Sequence, residues 1–258
     1  MVWVAYYWQQ VSFTLFFLCR KVLTCICGNQ MLQAVHVIHE EKIVHSDLKP
    51  ANFVLVRGQL KLIDFGIANA IANDTTNIQR DHQVNLRVAL GVDALLLSID
   101  LLDPQIGTVN YMSPETIELP DGMRHLKVGR PSDVWSLGCI LYQMVYGHPP
   151  FQHLSVYQKM KAIPDTAHTI EFPENATPTV RSGGTGGPPK TLDHLKRRVP
   201  AYAISCMKKC LSRNPKERVT IPELLEQEWL GIKEGTLSSP PFLSLRCTLT
   251  HGGTFLLD

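Results

Sequence analysis

The chain has 258 residues, of which 45% are hydrophobic and 19% charged, the balance of a globular protein that can bury a core, so intrinsic disorder and a collagen-like chain are excluded. Twenty-five basic against 23 acidic residues leave a net charge of +2, too small to indicate a nucleic-acid or membrane partner. Seven cysteines, an odd number in a chain of this size, favour a reducing compartment, cytoplasm or nucleus, over a disulfide framework.

Three segments differ from the rest of the chain. Residues 2–19 are rich in apolar side chains, but polar residues interrupt them well before the ~20 apolar residues of a bilayer span, and no basic residue precedes them as in a signal peptide. We therefore expect neither a membrane anchor nor secretion. Residues 181–192, rich in Gly and Pro, predict a flexible loop, and residues 233–258 predict a tail without helical period.

The first regular elements are predicted in the first quarter of the chain. Apolar residues at helical spacing predict an amphipathic helix over residues 31–41. Two short apolar runs, residues 53–56 and 60–63, are separated by Arg57-Gly58-Gln59 and predict a β-hairpin.

Two further helices are predicted towards the C-terminus. Ser132 can cap a helix that runs to about Tyr146, and its apolar residues leave so little polar face that the helix is expected to be buried. Thr220 and Glu223 have capping-box spacing, which predicts a last helix continuing through Trp229. The predicted fold class is therefore mainly α, with one small β-hairpin.

The residues that can carry chemistry lie around the predicted hairpin. Asp47, Lys49 and Asn52 precede its first strand, and Asp64 follows its second. Asp47 is placed to accept the proton of an attacking hydroxyl, and Lys49 to neutralise charge on a transferring phosphoryl group. Asn52 and Asp64 offer the hard oxygen ligands that Mg²⁺ prefers. Any one of these residues alone is more often a turn residue, but four of them in order around a hairpin favour phosphoryl transfer.

These motifs resemble those of the protein kinases. HSDLKPAN at 45–52 is similar to the catalytic loop, DFG at 64–66 to the magnesium loop, GTVNYMSPE at 107–115 to the substrate-docking segment, and DVWSLG at 133–138 to the helix that anchors the catalytic loop. The resemblance covers residues 31–232. It implies the C-terminal lobe of a kinase, ATP and Mg²⁺ as cofactors, and protein substrates as partners.

The resemblance also implies roles for single residues. Thr108 would hydrogen-bond Asp47 and Lys49, and Val54 would form the floor under adenine. Asp133 would hold the backbone around His45, and Glu115 would form a buried ion pair with Arg218. The structural residues implied in this way are His45, Phe65, Asp133, Glu115 and Arg218.

A narrower resemblance follows from how these motifs depart from the common pattern. Ser46 stands where most kinases have an arginine, and HSDLKPANF, KLIDFGIAN, DTTN and PSDVWSLGCILYQMVYG together resemble the dual-specificity monopolar-spindle kinases, in a plant-like version. This subfamily implies kinetochore proteins as partners and a nuclear or cytoplasmic, kinetochore location. Thr75 and Thr76 match its autophosphorylated positions, although a Thr pair in a loop is also common in ordinary polar loops.

Several parts of a kinase are not recognised in this sequence. Residues 1–44 contain no glycine-rich GxGxxG, and their one lysine ahead of the first predicted helix is Lys21. The sequence therefore predicts a large lobe without the N-terminal β lobe, with little ability to transfer phosphate by itself. We treat residues 1–30 as an N-terminal remnant.

Two stretches interrupt the family pattern. Residues 11–30 and 84–105 each begin with Val and end with Gln, as a translated in-frame intron would, so both are predicted to be artefactual inserts. Genuine lineage-specific insertions are the alternative.

Other candidate sites are weaker, and three function classes stay open. The spacing expected of zinc ligands is missing among His36, His39 and His45 and in the Cys25/Cys27 pair. Cys206 and Cys210 are predicted to be small buried residues. The chain is interpreted as part of a kinase, as a non-catalytic docking module, or as an interaction protein anchored by its apolar N-terminus.

Overall fold

The computed structural model describes residues 2–3, 28–56, 59–64, 69–70, 75–77, 109–117, 127–177, 179–180, 190–227, 248–249 and 255–256. The predicted insert 84–105, almost all of the predicted insert 11–30, most of the predicted loop 181–192 and most of the tail 233–258 lie outside these residues. Among the residues that are described, no helix has the length and apolar content needed to cross a bilayer.

The first helix, α1, covers residues 28–40 and so begins three residues before the predicted start. Met31, Leu32 and Val35 form its buried face, in agreement with the helical spacing of these residues. The extra turn has a structural role, because the side-chain Oε1 of Gln30 accepts a hydrogen bond from the backbone N–H of Leu60 at 3.1 Å. This contact joins the start of α1 to the hairpin.

The predicted hairpin is confirmed. Strand β3 (Phe53–Val56) pairs with β4 (Gln59–Leu62) in antiparallel register, with Phe53 opposite Leu62 and Val56 opposite Gln59. Strand β1 (Val2–Trp3) pairs with β3 on its other edge. The first residue of β3 and the last residue of β4 are therefore neighbours, which brings the chain before β3 and the chain after β4 together.

The remaining strands are short, and the expectation of a single hairpin was too simple. β2 (Ile43–Val44) pairs with β5 (Asn69–Ala70), and β6 (Thr75–Asn77) pairs with β7 (Lys127–Gly129). The other pairs are β8 (Asn175–Ala176) with β11 (Arg197–Arg198), β9 (Thr179–Val180) with β10 (Lys190–Thr191), and β12 (Thr248–Leu249) with β13 (Phe255–Leu256). The strand β10 thus falls inside the segment predicted as a flexible loop. Strands of two or three residues are set by tertiary neighbours and leave no period in the sequence.

The central element is helix α2 (Arg130–Tyr146), which was predicted to be buried and is. Gly129 rather than Ser132 is its N-cap, with Pro131 in the first turn, where proline costs no hydrogen bond. Gly147 ends the helix in the left-handed region, with φ 87°, and its N–H donates to the Gln143 carbonyl at 2.8 Å. One face of α2 packs on α1, the hairpin and the last helices, and the other packs on a second core around Trp135 and Phe151.

Three further helices complete the described fold: α3 (Val156–Ala162), α4 (Ala201–Cys210) and α5 (Ile221–Leu225). Helix α2 crosses α4 closely at Gly138, where an added Cβ would lie 2.7 Å from the Cβ of Cys210 and 3.1 Å from Cδ2 of Leu211. Glycine is therefore required there by the approach of the two helices. The buried state predicted for Cys206 and Cys210 is confirmed.

The last helix shows which sequence signals are reliable. The capping box holds, because the Thr220 side chain accepts from the Glu223 N–H while the Glu223 carboxylate accepts from the Thr220 N–H at 2.8 Å. The hydrogen bonds that the Thr220 N–H and, at 2.9 Å, the Thr220 hydroxyl donate to this carboxylate lower the pKa of Glu223. The predicted C-terminal extent was wrong, since helical structure ends at Leu225, and Trp229 lies outside the described residues. Start signals are local, whereas the end depends on what the helix packs against.

Candidate active site

Residues 45–52 form the loop that connects β2 to β3, and the hairpin register fixes its position. The N–H of Ile63, just past β4, donates to the Asn52 carbonyl at 2.8 Å. Asp64 follows directly, so the end of this loop lies beside the segment that carries Asp64. The sequence-predicted Asp47, Lys49, Asn52 and Asp64 are thereby collected at one end of the hairpin.

An ion pair lies within this loop. The ammonium Nζ of Lys49 lies 2.8 Å from Oδ2 of Asp47, and the two side chains are 27% and 18% exposed. Both charges are therefore reachable by a ligand while still partly shielded from water. Asn52 is buried, and its Oδ1 accepts a hydrogen bond from the Lys49 N–H at 3.1 Å. This hydrogen bond closes a turn between Lys49 and Asn52, directly after the residues that form the ion pair.

Asp133, in the first turn of α2, anchors the start of the loop. Its Oδ2 accepts from the His45 N–H and its Oδ1 from the Ser46 N–H, each at 2.9 Å. The ring Nε2 of His39 on α1 lies 2.8 Å from the same Oδ2. Asp133 is fully buried, and a carboxylate is tolerated there because hydrogen bonds and the helix N-terminus stabilise its charge.

His45 links the two halves of the site. It is fully buried, its Nδ1 lies 3.4 Å from the Asp47 N–H, and its Nε2 lies 3.4 Å from the Ile63 carbonyl. One imidazole thus bridges the loop before β3 and the segment after β4. Both distances are at the long end of the range for hydrogen bonds, so each of the two contacts is weak.

Two of the three non-glycine residues with a left-handed backbone in the described part of the chain lie at the site, and the third is Lys42 ahead of β2. Ser46 has φ 70° and Asp64 has φ 65°, left-handed values that non-glycine residues adopt at a cost of roughly 1–2 kcal/mol each. The hydrogen bond from the Ser46 N–H to Asp133 holds one of them. The Ser46 Oγ is buried without a hydrogen-bond partner, so the hydroxyl does not contribute to this restraint.

The donor set fits a magnesium ion. Asn52 offers an amide oxygen with one lone pair left after its hydrogen bond to Lys49, and Asp64 is exposed and carries a carboxylate. Mg²⁺ typically takes one or two protein oxygens and completes its shell with phosphate and water. Among the described residues, no group of three or more His, Cys, Asp or Glu side chains could hold a metal by itself. Cys25 and Cys27 lie outside those residues.

A buried ion pair lies beside the first turn of α2, the turn that also carries Asp133. Arg218 and Glu115 form a bidentate pair, with Nη1 to Oε1 at 2.7 Å and Nη2 to Oε2 at 3.0 Å. The other N–H groups of Arg218 donate to the backbone carbonyls of Pro131, Ser212 and Arg213. All five guanidinium donors are used, which is the arrangement that makes a buried arginine stable.

Replacing Arg218 by lysine is expected to lower the free energy of unfolding by about 2 kcal/mol, because an ammonium has three donors and loses at least two of these hydrogen bonds. The matched control is Arg198→Lys, since Arg198 is 82% exposed and lies 3.9 Å from Glu174; there we expect a change within about 0.5 kcal/mol. Urea unfolding followed by circular dichroism measures both. Equal losses in the two variants would contradict the importance of the buried fork.

The structure describes only some of the sequence-predicted residues that lie outside this loop. Val54 is buried in β3. The backbone of β6 pairs Thr75 with Gly129 and Thr76 with Val128, so the two threonines lie in a strand and not in an open loop. Thr108 and Phe65 lie outside the described residues.

Sequence reasoning missed three residues that organise the site. His39 contacts Asp133, the guanidinium Nη2 of Arg130 donates to the His39 carbonyl at 2.8 Å, and Ser132 donates to Glu115 at 2.9 Å. His39 was considered only as a zinc ligand. Its position on the last turns of α1, six residues before His45, was a local signal that could have indicated this contact.

The comparisons with known proteins define the family. The Protein kinase domain family matches residues 21–230, beginning ten residues earlier than expected. The chain belongs to the protein kinase domain family, and the prediction that it is by family a protein kinase is confirmed.

Individual relatives narrow the similarity. The chain is 46% identical over 212 residues to the serine/threonine-protein kinase mph1 of Schizosaccharomyces pombe, 45% identical over 209 residues to the dual specificity protein kinase TTK of Mus musculus, and 39% identical over 210 residues to the serine/threonine-protein kinase MPS1 of Saccharomyces cerevisiae. These alignments cover 78%, 79% and 78% of this chain, but only 26%, 19% and 22% of the relatives. The resemblance to the dual-specificity monopolar-spindle kinases is confirmed.

Proposed function

We propose that this chain carries the phosphoryl-transfer loop of a dual-specificity protein kinase of the spindle-checkpoint type, which moves the γ-phosphoryl of ATP to Ser, Thr and Tyr hydroxyls of proteins. The observation that carries the proposal is the Asp47–Lys49 pair at 2.8 Å on a loop whose backbone is held by Asp133. A carboxylate and an ammonium at this separation can serve a hydroxyl and a phosphoryl group at once.

Each of the four residues collected at this end of the hairpin has its own proposed role in the transfer. Asp47 orients the acceptor hydroxyl and takes its proton on a carboxylate oxygen, while Lys49 leaves that carboxylate to neutralise charge on the transferring group. Asn52 and Asp64 would hold Mg²⁺, which when bound with ATP supplies further charge neutralisation. Pre-set backbone at Ser46 and Asp64 means that little reorganisation is needed when substrate arrives.

Further roles follow from family membership. Thr108 is proposed to hydrogen-bond Asp47 and Lys49, and Val54 to lie under adenine. Phe65, the middle residue of the magnesium loop, is proposed to have a structural role. Thr75 and Thr76 are proposed as phosphorylation sites, at positions where a phosphate would disturb the β6–β7 pairing.

The proposed partners are protein substrates, including kinetochore proteins, and the proposed location is the nucleus and cytoplasm with recruitment to the kinetochore. These proposals rest on the similarity to monopolar-spindle kinases. The small net charge of +2 supports neither nucleic acid nor membrane as a partner.

A second candidate is a docking module without catalysis. It is favoured by one observation, that residues 1–44 contain no GxGxxG and only Lys21 ahead of α1. A kinase needs a glycine-rich loop and a strand lysine to hold the phosphates of ATP. The chain by itself is therefore proposed to bind MgATP weakly and to transfer phosphate slowly or not at all.

A transfer assay on the purified chain separates the two candidates. γ-Labelled ATP, Mg²⁺ and a mixed Ser/Thr/Tyr peptide are supplied, and label in peptide and chain is counted for wild type and for Asp64→Asn. Incorporation that Asp64→Asn lowers by at least about tenfold supports the enzyme. Absence of incorporation, with circular dichroism showing a folded chain, supports the docking module for this chain by itself. The enzyme is contradicted if the chain fused to the small lobe of a transfer-competent relative is inactive as well.

A further inference from the structure

Helix α2 carries a polar stripe although most of its surface is apolar. Ser132, Ser136 and Gln143 follow one another at spacings of 4 and 7 residues, so at about 100° per residue their side chains fall within about 40° of one another around the helix axis. Ser132 and Ser136 are buried, and Gln143 is partly exposed. Buried polar side chains need hydrogen-bond partners, and these three find them on one segment, residues 109–117.

Tyr111 makes two of these contacts. Its phenol donates to Oε1 of Gln143 at 2.6 Å, and its backbone carbonyl accepts from the Ser136 hydroxyl at 2.8 Å. Burial raises the pKa of Tyr111, so the phenol stays protonated and donates throughout the physiological pH range. The Tyr111 side chain also packs against both hydrophobic cores beside α2. This residue is thereby fixed to α2 through its main chain and its side chain together.

The other end of the segment is held beside the anchor of the transfer loop. The Ser132 hydroxyl donates to Oε1 of Glu115 at 2.9 Å. The next residue of α2 is Asp133, whose carboxylate holds the start of the transfer loop, residues 45–52. Adjacent residues of one helix turn therefore fix both the loop and residues 109–117. Because a helix is a rigid support, it sets the distance between them.

We propose that Tyr111, Ser136 and Gln143 are positioning residues that keep the segment 109–117 in register with the transfer loop and thereby set how tightly an acceptor protein binds. The inference rests on the proposed function. Residues 109–112 are partly exposed, so an acceptor whose hydroxyl reaches the transfer loop can also contact this segment. The three side chains act through the segment, because their hydrogen bonds run between it and α2.

The first test compares two Tyr→Phe variants of the chain fused to the small lobe of a transfer-competent relative, with a mixed Ser/Thr/Tyr peptide as acceptor. Tyr111→Phe removes the hydroxyl and keeps the ring. We expect it to raise the KM for the peptide about fivefold, as for one lost hydrogen bond, and to leave kcat and the KM for ATP within about twofold. The control is Tyr142→Phe on α2, where the lost hydroxyl donates to the Glu171 carbonyl at 3.0 Å; all three constants should stay within about twofold.

Variants of Gln143 give an independent arm. Gln143→Met removes the acceptor atom at similar side-chain length and should raise the peptide KM as Tyr111→Phe does. Gln143→Glu keeps an acceptor oxygen and should stay within about twofold of the unsubstituted fusion. The double variant Tyr111→Phe/Gln143→Met should be no worse than either single variant, because both remove the same hydrogen bond. Additive losses in the double variant, or a loss in Gln143→Glu equal to that in Gln143→Met, would overturn the assignment of this hydrogen bond.

Hydrogen exchange on the unfused chain separates this inference from the proposed function. The N–H groups of Met112 and Thr116 donate to carbonyls within the segment, and they should exchange about fivefold faster in Tyr111→Phe and Gln143→Met than in the control. Unchanged exchange would overturn the positioning role, and faster exchange with an unchanged peptide KM would overturn the role in acceptor binding. An inactive unsubstituted fusion would contradict the proposed function, and exchange would still decide whether these side chains hold the segment.

Discussion

Replacing Asp133 by asparagine is expected to lower the free energy of unfolding by about 3–5 kcal/mol, the cost of breaking a buried charged network. The two oxygens of Asp133 accept from the N–H groups of His45 and Ser46, and His39 approaches one of them. An asparagine keeps one oxygen and turns its NH₂ group towards a backbone donor. The structure then loses one hydrogen bond and gains a buried clash between donors.

Urea unfolding measures this loss, with Asp193→Asn as the matched control because Asp193 is exposed in a single 3-10 turn. We expect the control to change stability by less than about 0.5 kcal/mol. Hydrogen exchange adds a local readout, since the amides of His45 and Ser46 should exchange faster in Asp133→Asn. Unchanged exchange at these two amides would show that the anchor does not hold the loop, whatever the global stability.

The parts of the fold that could be predicted from the sequence are those with a local physical cause. The hairpin at β3 and β4 followed from two apolar runs around a glycine, and the Thr220 capping box followed from side-chain spacing. The burial of α2 followed from its nearly uninterrupted apolar surface. Each of these signals lies within a few residues of the structure it specifies.

The parts that could not be predicted depend on partners far along the chain. Ser132 was a reasonable N-cap, but its hydroxyl donates to Glu115 and the helix begins three residues earlier, with Gly129 as the N-cap. The five donors of Arg218 end on residues between 5 and 103 positions away. No window of sequence contains these contacts. The family resemblance indicated the ion pair between Glu115 and Arg218, and no signal in the sequence indicated the backbone carbonyls to which Arg218 donates.

Gln30 gives a structural argument about the predicted insert 11–30. Its side chain accepts from the Leu60 N–H, so the last residue of that segment contributes to the fold. If residues 11–30 were removed, Gln10 would directly precede Met31 and could make the same hydrogen bond. The insert hypothesis therefore does not require the loss of this contact, and it stays a prediction.

Replacing Asp47 by asparagine is expected to lower phosphoryl transfer by at least about a hundredfold, the range attributed to a positioned acid–base group. Asparagine cannot take the proton of the acceptor hydroxyl, and it also releases the ammonium of Lys49, which now lies 2.8 Å from the Asp47 carboxylate. The measurement uses this chain fused to the small lobe of a transfer-competent relative, so that ATP is held whatever the chain does alone. Initial rates at saturating ATP are compared with those of the unsubstituted fusion.

The neighbouring residue provides the matched control. Ser46→Ala removes a buried Oγ that has no hydrogen-bond partner and leaves the Ser46 N–H bonded to Asp133. Its effect on the rate should therefore stay within about threefold, since no group in contact with the reacting atoms changes. The opposite result would be near-full activity in Asp47→Asn together with a strong loss in Ser46→Ala. The proton acceptor would then have to be another group. Catalysis would depend on the anchored backbone of this loop and not on the Asp47 carboxylate.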